Sequence, residues 1–299
     1  MAIPKLDTYL RWQASELERG GTRLKEQDSK VVPSGQPLVS IVIIVLNGKQ
    51  YIEEAIQNVL SQTYEPIECI VVDGGSQDGT LEIIKKYNSK IDCWVSGSDQ
   101  NTSDAMNKGI VLANGELIGM IGAGDWYEDG AIQRVVDQYR QNNGAIIHGK
   151  CQYWHPDLKP YYLVSARDDS PDNLDLVHMA AFIPKRIYED IGLFNLEFKN
   201  ANDYEWYLRA KLKDVAFCYL DTLVVNMRLG GMSNQLWLAS YHEVAKARIL
   251  HGKHQVVAYG LFAIMVLKTL SRITLERLHL DFIVQFYRRH FAAVYKELL

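Results

Sequence analysis

The sequence predicts an α/β fold built on a mostly parallel sheet. Continuous β-branched runs alternate with stretches whose apolar residues recur every three or four positions, as parallel strands and their crossover helices do. Aspartates close or follow successive runs, where an open sheet of this kind places its ligands. The size and composition agree: 299 residues, 47% apolar and 23% charged, suit one large or two average globular domains. Disorder, collagen-like repetition and a disulfide scaffold are excluded.

Residues 1–37 are polar, with clustered charges in ELERGGTRLKEQDSK and prolines at 33 and 37, and are expected to form an amphipathic helical arm with a flexible link. VSIVIIVL (39–46) suits a strand buried on both faces. Tyr51, Ile52, Ala55, Ile56, Val59 and Leu60 then repeat at helical spacing. IECIVV (67–72) is a second strand ending at Asp73; Leu81, Ile83, Ile84 and Tyr87 mark a second helix, and IDCWVS (91–96) a third strand. Ser103 is expected to cap a helix that runs to the stop signal Asn114-Gly115. ELIGMIG (116–122) is a fourth strand, followed by a helix to Asn143-Gly144 and the strand AIIHG. Beyond residue 150 the alternation breaks. CQYWHPDLKPYYLV reads as a hairpin, short helices lie near 184–191 and 203–213, and VAFCYL and TLVVNMRL read as a final strand pair. From Asn234 onward the chain is expected to be almost entirely helical.

The net charge of −4 is uneven. His242 to Leu299 holds nine Lys and Arg against four Asp and Glu, a net +5, which leaves −9 on residues 1–241. Such a basic tail predicts a partner of its own, an anionic membrane surface among them. Its apolar residues Leu275, Leu278, Phe282, Phe286, Tyr287, Phe291, Val294, Tyr295 and Leu298 fall at three- and four-residue spacing. That stripe suits packing on the preceding domain or on a second subunit, and with Arg288-Arg289 beside it also suits an interfacial helix. VVAYGLFAIMVL (256–267) is a 12-residue run, too short to span a bilayer unaided. Cys69, Cys93, Cys151 and Cys218 are widely spaced without metal-ligand patterning, as in a reducing compartment. MAIPKLDTYLRWQ lacks the plan of a signal peptide, and a cytoplasmic location is expected.

Asp73 in VVDGGSQDGT, Asp99 in SGSDQNTSDAMNKGI and Asp125 in MIGAGDWYEDG are the strand-end acids. One Asp before Gly is a turn residue; three at equivalent strand ends predict a site. LNGKQYIEEA, after the first strand, has no G-x-G-x-x-G, which excludes a Rossmann dehydrogenase. No G-x-S-x-G frames a serine nucleophile.

The succession SIVIIVLNGKQYIEEAIQNVLSQTY, IVVDGGSQDGT, DAMNKGIVLANGELIGMIGAGDWY and NDYEWYLRA resembles glycosyltransferase family 2, inverting nucleotide-sugar-dependent enzymes of GT-A fold, and within it the bacterial members that build surface polysaccharides and glycolipids. The likeness covers about residues 38–233. It implies a catalytic domain over 38–235, with a nucleotide-sugar half (38–150) and an acceptor half (151–235), between the arm (1–37) and a helical basic tail (236–299). By the same resemblance Asn47 lines the nucleotide pocket and Asp73 hydrogen-bonds the base, with Gly74 and Gly75 keeping the backbone clear of the nucleotide. Asp99, Asp104, Asn107 and Lys108 face the donor, and the helix start at Ser103 offers N–H groups to a diphosphate. Asp125 stands in the metal motif and Asp203 matches the general base. Glu205, about 200° from Asp203 around a helix, is the rival base. Arg228 and Ser233 are candidates for the diphosphate, and His178 for the acceptor side.

This chain departs from the family at Gly122-Ala123-Gly124-Asp125, where most members carry Asp-x-Asp. A single carboxylate with substrate phosphates still holds Mg²⁺ or Mn²⁺, which is the expected cofactor, and Asp104 is the candidate for a second ligand. The function implied is transfer of a sugar from a nucleotide donor, a UDP-sugar first, to a hydroxyl of a glycan or lipid-linked acceptor. The rival is a catalytically silent nucleotide-sugar-binding or scaffold protein of the same fold. Contact with a membrane, or a dimer through the C-terminal helices, is an expected partnership; nucleic acid is not.

Overall fold

The computed structural model describes residues 17–24, 32–142, 144–165, 176–229, 236–280 and 295–298. Ser233 and most of the apolar stripe after Leu278, Arg288-Arg289 included, lie outside them. The strands are β1 (Glu18–Gly20), β2 (Val39–Val45), β3 (Ile67–Asp73), β4 (Cys93–Ser96), β5 (Leu117–Gly122), β6 (Trp126–Tyr127), β7 (Ile146–Trp154), β8 (Pro160–Ser165), β9 (Ala181–Pro184), β10 (Phe217–Arg228) and β11 (Tyr295–Leu298). The helices are α1 (Ile52–Leu60), α2 (Thr80–Lys86), α3 (Thr102–Leu112), α4 (Ala131–Gln141), α5 (Lys185–Ile191), α6 (Asn202–Leu212), α7 (Trp237–Leu250) and α8 (Gln255–Arg277).

The strands form one sheet in the order β1-β4-β3-β2-β5-β9-β7-β10-β6, with β8 and β11 branching from β7. β4, β3, β2 and β5 are parallel neighbours. β9 runs antiparallel to both β5 and β7, and β10 is parallel to β7. Six strands therefore share one direction, and their carboxyl ends line one rim. Odd residues of β2, Val39 to Val45, pack into a core shared with α1 and α4; Val42 faces a second core with α3, α5 and α6. This two-sided burial is why β2 reads as an unbroken β-branched run. Gly109 lets α3 lie on the sheet, since a Cβ there would come within 2.2 Å of Val42 Cγ1.

Four expectations are corrected. The N-terminal segment is not an amphipathic α-helix where it is described: β1 pairs with β4 at the sheet edge, and Arg23, in the single 3-10 turn Thr22–Leu24 that follows, reaches the buried Glu68 carboxylate and the Leu112 carbonyl. The supposed final strand pair is one long strand, β10, irregular between Leu220 and Val225. Asn101 rather than Ser103 caps α3, accepting from the Asp104 amide. The tail is helical through α7 and α8 but ends in β11, which pairs with β8. In α8 the apolar stretch is longer than the 12-residue run: Gln255–Leu275 is long and apolar enough to cross a membrane, by length and composition.

Candidate active site

The rim is assembled from loops that leave the six co-directional strands. After β2, Asn47 adopts φ +51°, a left-handed conformation that Asn tolerates better than most residues. Its amide donates to Ser76 Oγ (2.7 Å) and its side-chain oxygen accepts from Gln77 (2.9 Å). The loops after β2 and β3 are thus tied together. Asp73, buried at the end of β3, accepts from Ser96 Oγ (2.6 Å) and from the backbone amide and hydroxyl of Ser76.

Gly74 and Gly75 have distinct local reasons. A Cβ at Gly74 would sit 2.7 Å from Asp99 Oδ2, and Gly75 adopts φ +86°. Lys108, buried on α3, bonds Asp99, the Ser98 carbonyl (3.0 Å) and Asp104 (3.3 Å). Burial raises the Asp99 pKa, and the Lys108 ammonium opposes that shift. Two expected donor contacts are directed elsewhere. Asn107 uses both ends of its amide on the Phe194 backbone (2.9 and 2.8 Å), and the start of α3 is built against the same loop through Asn101 to the Leu196 carbonyl and Ser103 to the Phe198 carbonyl. Asp104 accepts from the Gln100 amide and pairs with Lys108.

Asp125 follows β5. One of its oxygens accepts from the Gly122 amide (3.1 Å), and burial pushes its pKa up to about 7 against the opposing pull of Gly122 and Arg228. Arg228, the last residue of β10, donates to the Gly124 carbonyl (2.9 Å) and to Glu54 (2.7 Å). Its guanidinium is stacked between Tyr51 and Trp126, 4.8 and 4.9 Å from the ring centres. Trp154, ending β7, lies 5.8 Å from Trp126 and donates to Asn226, which in turn donates to Glu128. Sequence reading did not place Tyr51, Trp126 and Trp154 together. The signal available was an aromatic at or after a strand end, visible only once the strand ends are known to converge.

On the acceptor side, Asp203 lies in the first turn of α6, half-buried, with its pKa raised by desolvation; its carboxylate accepts from the Tyr204 amide (2.7 Å). Tyr153 lies on β7, stacked on Tyr162. Its phenol pKa is raised mainly by burial, and further by Cys151, Tyr162, Asp125 and Asp203. Glu205 does not join them. It is fully buried, accepts from Arg209 Nε and Nη2 (2.9 and 3.0 Å), and meets His251 Nε2 at 2.9 Å. His178 is buried with Nδ1 2.8 Å from Tyr207 Oη, and desolvation lowers its pKa to about 4. It is therefore neutral near pH 7 and serves as a packed polar residue.

The mostly parallel sheet with acids at its carboxyl rim is shared with solved glycosyltransferases of GT-A fold. The family model described as glycosyl transferase family 2 matches residues 40–213, so the chain belongs to that family. An uncharacterised glycosyltransferase of Rickettsia typhi is 32% identical over 195 residues, 60% of this chain and 61% of the relative. Chondroitin synthase of Escherichia coli is 26% identical over 232 residues, 72% of this chain and 32% of that protein. The chain spans about three fifths or less of these relatives' lengths. Among solved structures, the S. aureus TarS 1–349 complex with UDP-GlcNAc has a TM-score of 0.58 at 16% identity, covering 85% of this chain and 76% of that one. Mannosyltransferase PcManGT of Pyrobaculum calidifontis, in complex with GDP-Man and Mn²⁺, gives 0.58 at 16%, covering 86% and 76%.

Proposed function

We propose that the protein is an inverting glycosyltransferase that moves a sugar from a nucleotide donor, a UDP-sugar first, to a hydroxyl of a glycan or lipid-linked acceptor. The observation that carries this reading is the family match over residues 40–213, within which Asp73 ends β3, Asp125 follows β5 and Asp203 stands in the first turn of α6. On this reading Asp73 receives the base, held in place by Ser76 and Ser96. Arg228, oriented by two aromatic rings, faces the diphosphate, where a guanidinium suits phosphate oxygens. Asp203 accepts the proton of the acceptor hydroxyl while that oxygen bonds the anomeric carbon and the bond to the diphosphate breaks, with inversion. Its raised pKa suits a base that works near neutral pH.

Among the described residues no group of three His, Cys, Asp or Glu is arranged to hold a metal ion. One buried carboxyl at Asp125 fits a Mg²⁺ or Mn²⁺ ion whose remaining ligands are diphosphate oxygens and water, and does not fit a protein-only cage. Bound there, such an ion offsets charge on the leaving diphosphate. The complexes of the structural neighbours with UDP-GlcNAc and with GDP-Man and Mn²⁺ support a nucleotide-sugar donor, and the name of the chondroitin synthase supports a polysaccharide product. The exposed apolar surface of α8, with the basic residues around it, supports contact with an anionic membrane at the cytoplasmic face.

The test is a panel of nucleotide sugars scored by thermal stabilisation with and without Mn²⁺, then by turnover. UDP or a UDP-sugar should raise the melting temperature, more so with metal, and Asp125→Ala should remove the metal-dependent part. Asp203→Asn should leave nucleotide binding intact and lower transfer by roughly 10²–10⁴-fold. Nucleotide binding without turnover of any donor by the unaltered protein would instead favour a silent binding protein.

A further inference from the structure

The helix α7 lies beyond residues 40–213, the span of the family match, yet two of its side chains and that of the residue after it meet the segment that presents Asp203. Glu243 accepts from the backbone amides of Asn200 (2.8 Å) and Ala201 (2.9 Å) and from the Asn200 side chain (2.9 Å). Arg248 Nε donates to Tyr204 Oη (2.8 Å). His251, directly after α7, meets the buried Glu205 at 2.9 Å. These contacts fall at 200–201 on one side of Asp203 and at 204–205 on the other.

The entry to α6 has no cap of its own. Its N-cap residue, Ala201, has no side chain that can cap, and within the first turn the Asp203 carboxylate takes only the Tyr204 amide. Free N–H groups at a helix start need an acceptor, and a carboxylate is the strongest the protein can supply. Here that carboxylate comes from α7, more than forty residues away in sequence.

We propose that Glu243 is a positioning residue for transfer: its carboxylate clamps the Asn200–Ala201 turn and so fixes where Asp203 points, making α7 a working part of the acceptor side. The proposal rests on Asp203 being the general base. Displacing a reacting group by about 1 Å costs on the order of 10²-fold in rate, so a clamp two residues away has that much leverage.

The test uses the full chain. In Glu243→Ala, kcat for the donor found in the nucleotide-sugar panel should fall by about 10²-fold, with donor KM and UDP affinity within about twofold of the unaltered protein. Glu243→Gln keeps an oxygen that accepts from the same amides and should recover most of the rate. Asp203→Asn combined with Glu243→Ala should be no slower than Asp203→Asn alone, because residues that act through one another are not additive. Without any donor, hydrogen exchange of the amides at 200–205 should speed up in Glu243→Ala and not in Glu243→Gln. Unchanged exchange, unchanged kcat, or a loss of UDP affinity and melting temperature in step with the rate would overturn the proposal. An active Asp203→Asn marks failure of the base assignment; an inactive Asp203→Asn beside a fully active Glu243→Ala marks failure of the clamp alone.

Discussion

Asp125 is the residue at which burial and chemistry pull hardest against each other. Its carboxyl is nearly inaccessible, and desolvation moves its pKa from 3.8 to about 7. Below pH 3.8 both the folded and unfolded forms are protonated. As pH rises toward 7 the unfolded chain gives up its proton first, so the stability this carboxyl contributes is lost across that window. Three pKa units at about 1.4 kcal/mol each set an upper bound of roughly 4 kcal/mol. In the absence of divalent metal, the melting temperature of the unaltered protein should fall relative to Asp125→Asn between pH 4 and 8. Mn²⁺ with UDP should close that gap at pH 8, since a cation binds the carboxylate and not the acid. A pH-independent difference would show that the carboxyl titrates normally. His178 is shifted the other way, down to about 4, and is neutral around pH 6.5, so it should add no limb there to a rate profile.

At the scale of elements, α6 illustrates how two neighbouring acids take different work. Glu205 lies in a buried network with Arg209, whose guanidinium also donates to the carbonyls of Ile191 (2.9 Å) and Leu193 (2.7 Å). Glu205→Ala would leave that guanidinium buried without its carboxylate, and the expected cost is about 3–5 kcal/mol, read as a lower urea midpoint. A midpoint within error of the unaltered protein would mean that water or another acceptor replaces Glu205 there. The helical spacing of Asp203 and Glu205 already indicated that they face apart, but which one faces the site depends on Arg209 and on α7, and a local pattern carries neither. The central strands were legible because burial on both faces leaves unbroken apolar runs; the three-residue β1 was not, because it is a strand only through its pairing with β4, about 75 residues away. β10 reads as two strands because Asp221 and Thr222 interrupt the apolar pattern where its pairing with β7 is irregular. The rim acids were legible from the strand-end rule, whereas the stack of Arg228 on Tyr51 and Trp126 unites residues up to 177 positions apart.

For the whole molecule, the question is what α8 meets. A helix that is apolar on all sides is normally buried. One side of α8 does pack on α7, with Ala258 and Thr269 buried, Thr269 hydrogen-bonded to Tyr241, and Phe262 against His242. The other side leaves Val256, Val257, Ile264, Leu267 and Leu270 exposed, and only 11% of its most apolar window is buried. Gln255 to Leu267 carries no charge, while Lys253 precedes it and Lys268, Arg272 and Arg277 follow. This is the arrangement of an apolar surface framed by cations, and the reading follows that it docks on an anionic bilayer. Each basic residue near such a surface contributes about 1 kcal/mol, a term that fades as salt shortens the screening length. Full-length protein should therefore co-sediment with vesicles containing phosphatidylserine at low salt. Ile264→Glu with Leu267→Glu should abolish sedimentation at any salt, because it removes the apolar contact that survives screening. UDP binding by that variant should be unchanged, since the substitutions fall on the exposed side of α8, which packs on α7 through its other side. If the unaltered protein stays in the supernatant but elutes as a dimer that the double variant splits, a second copy covers α8 and the membrane assignment is wrong.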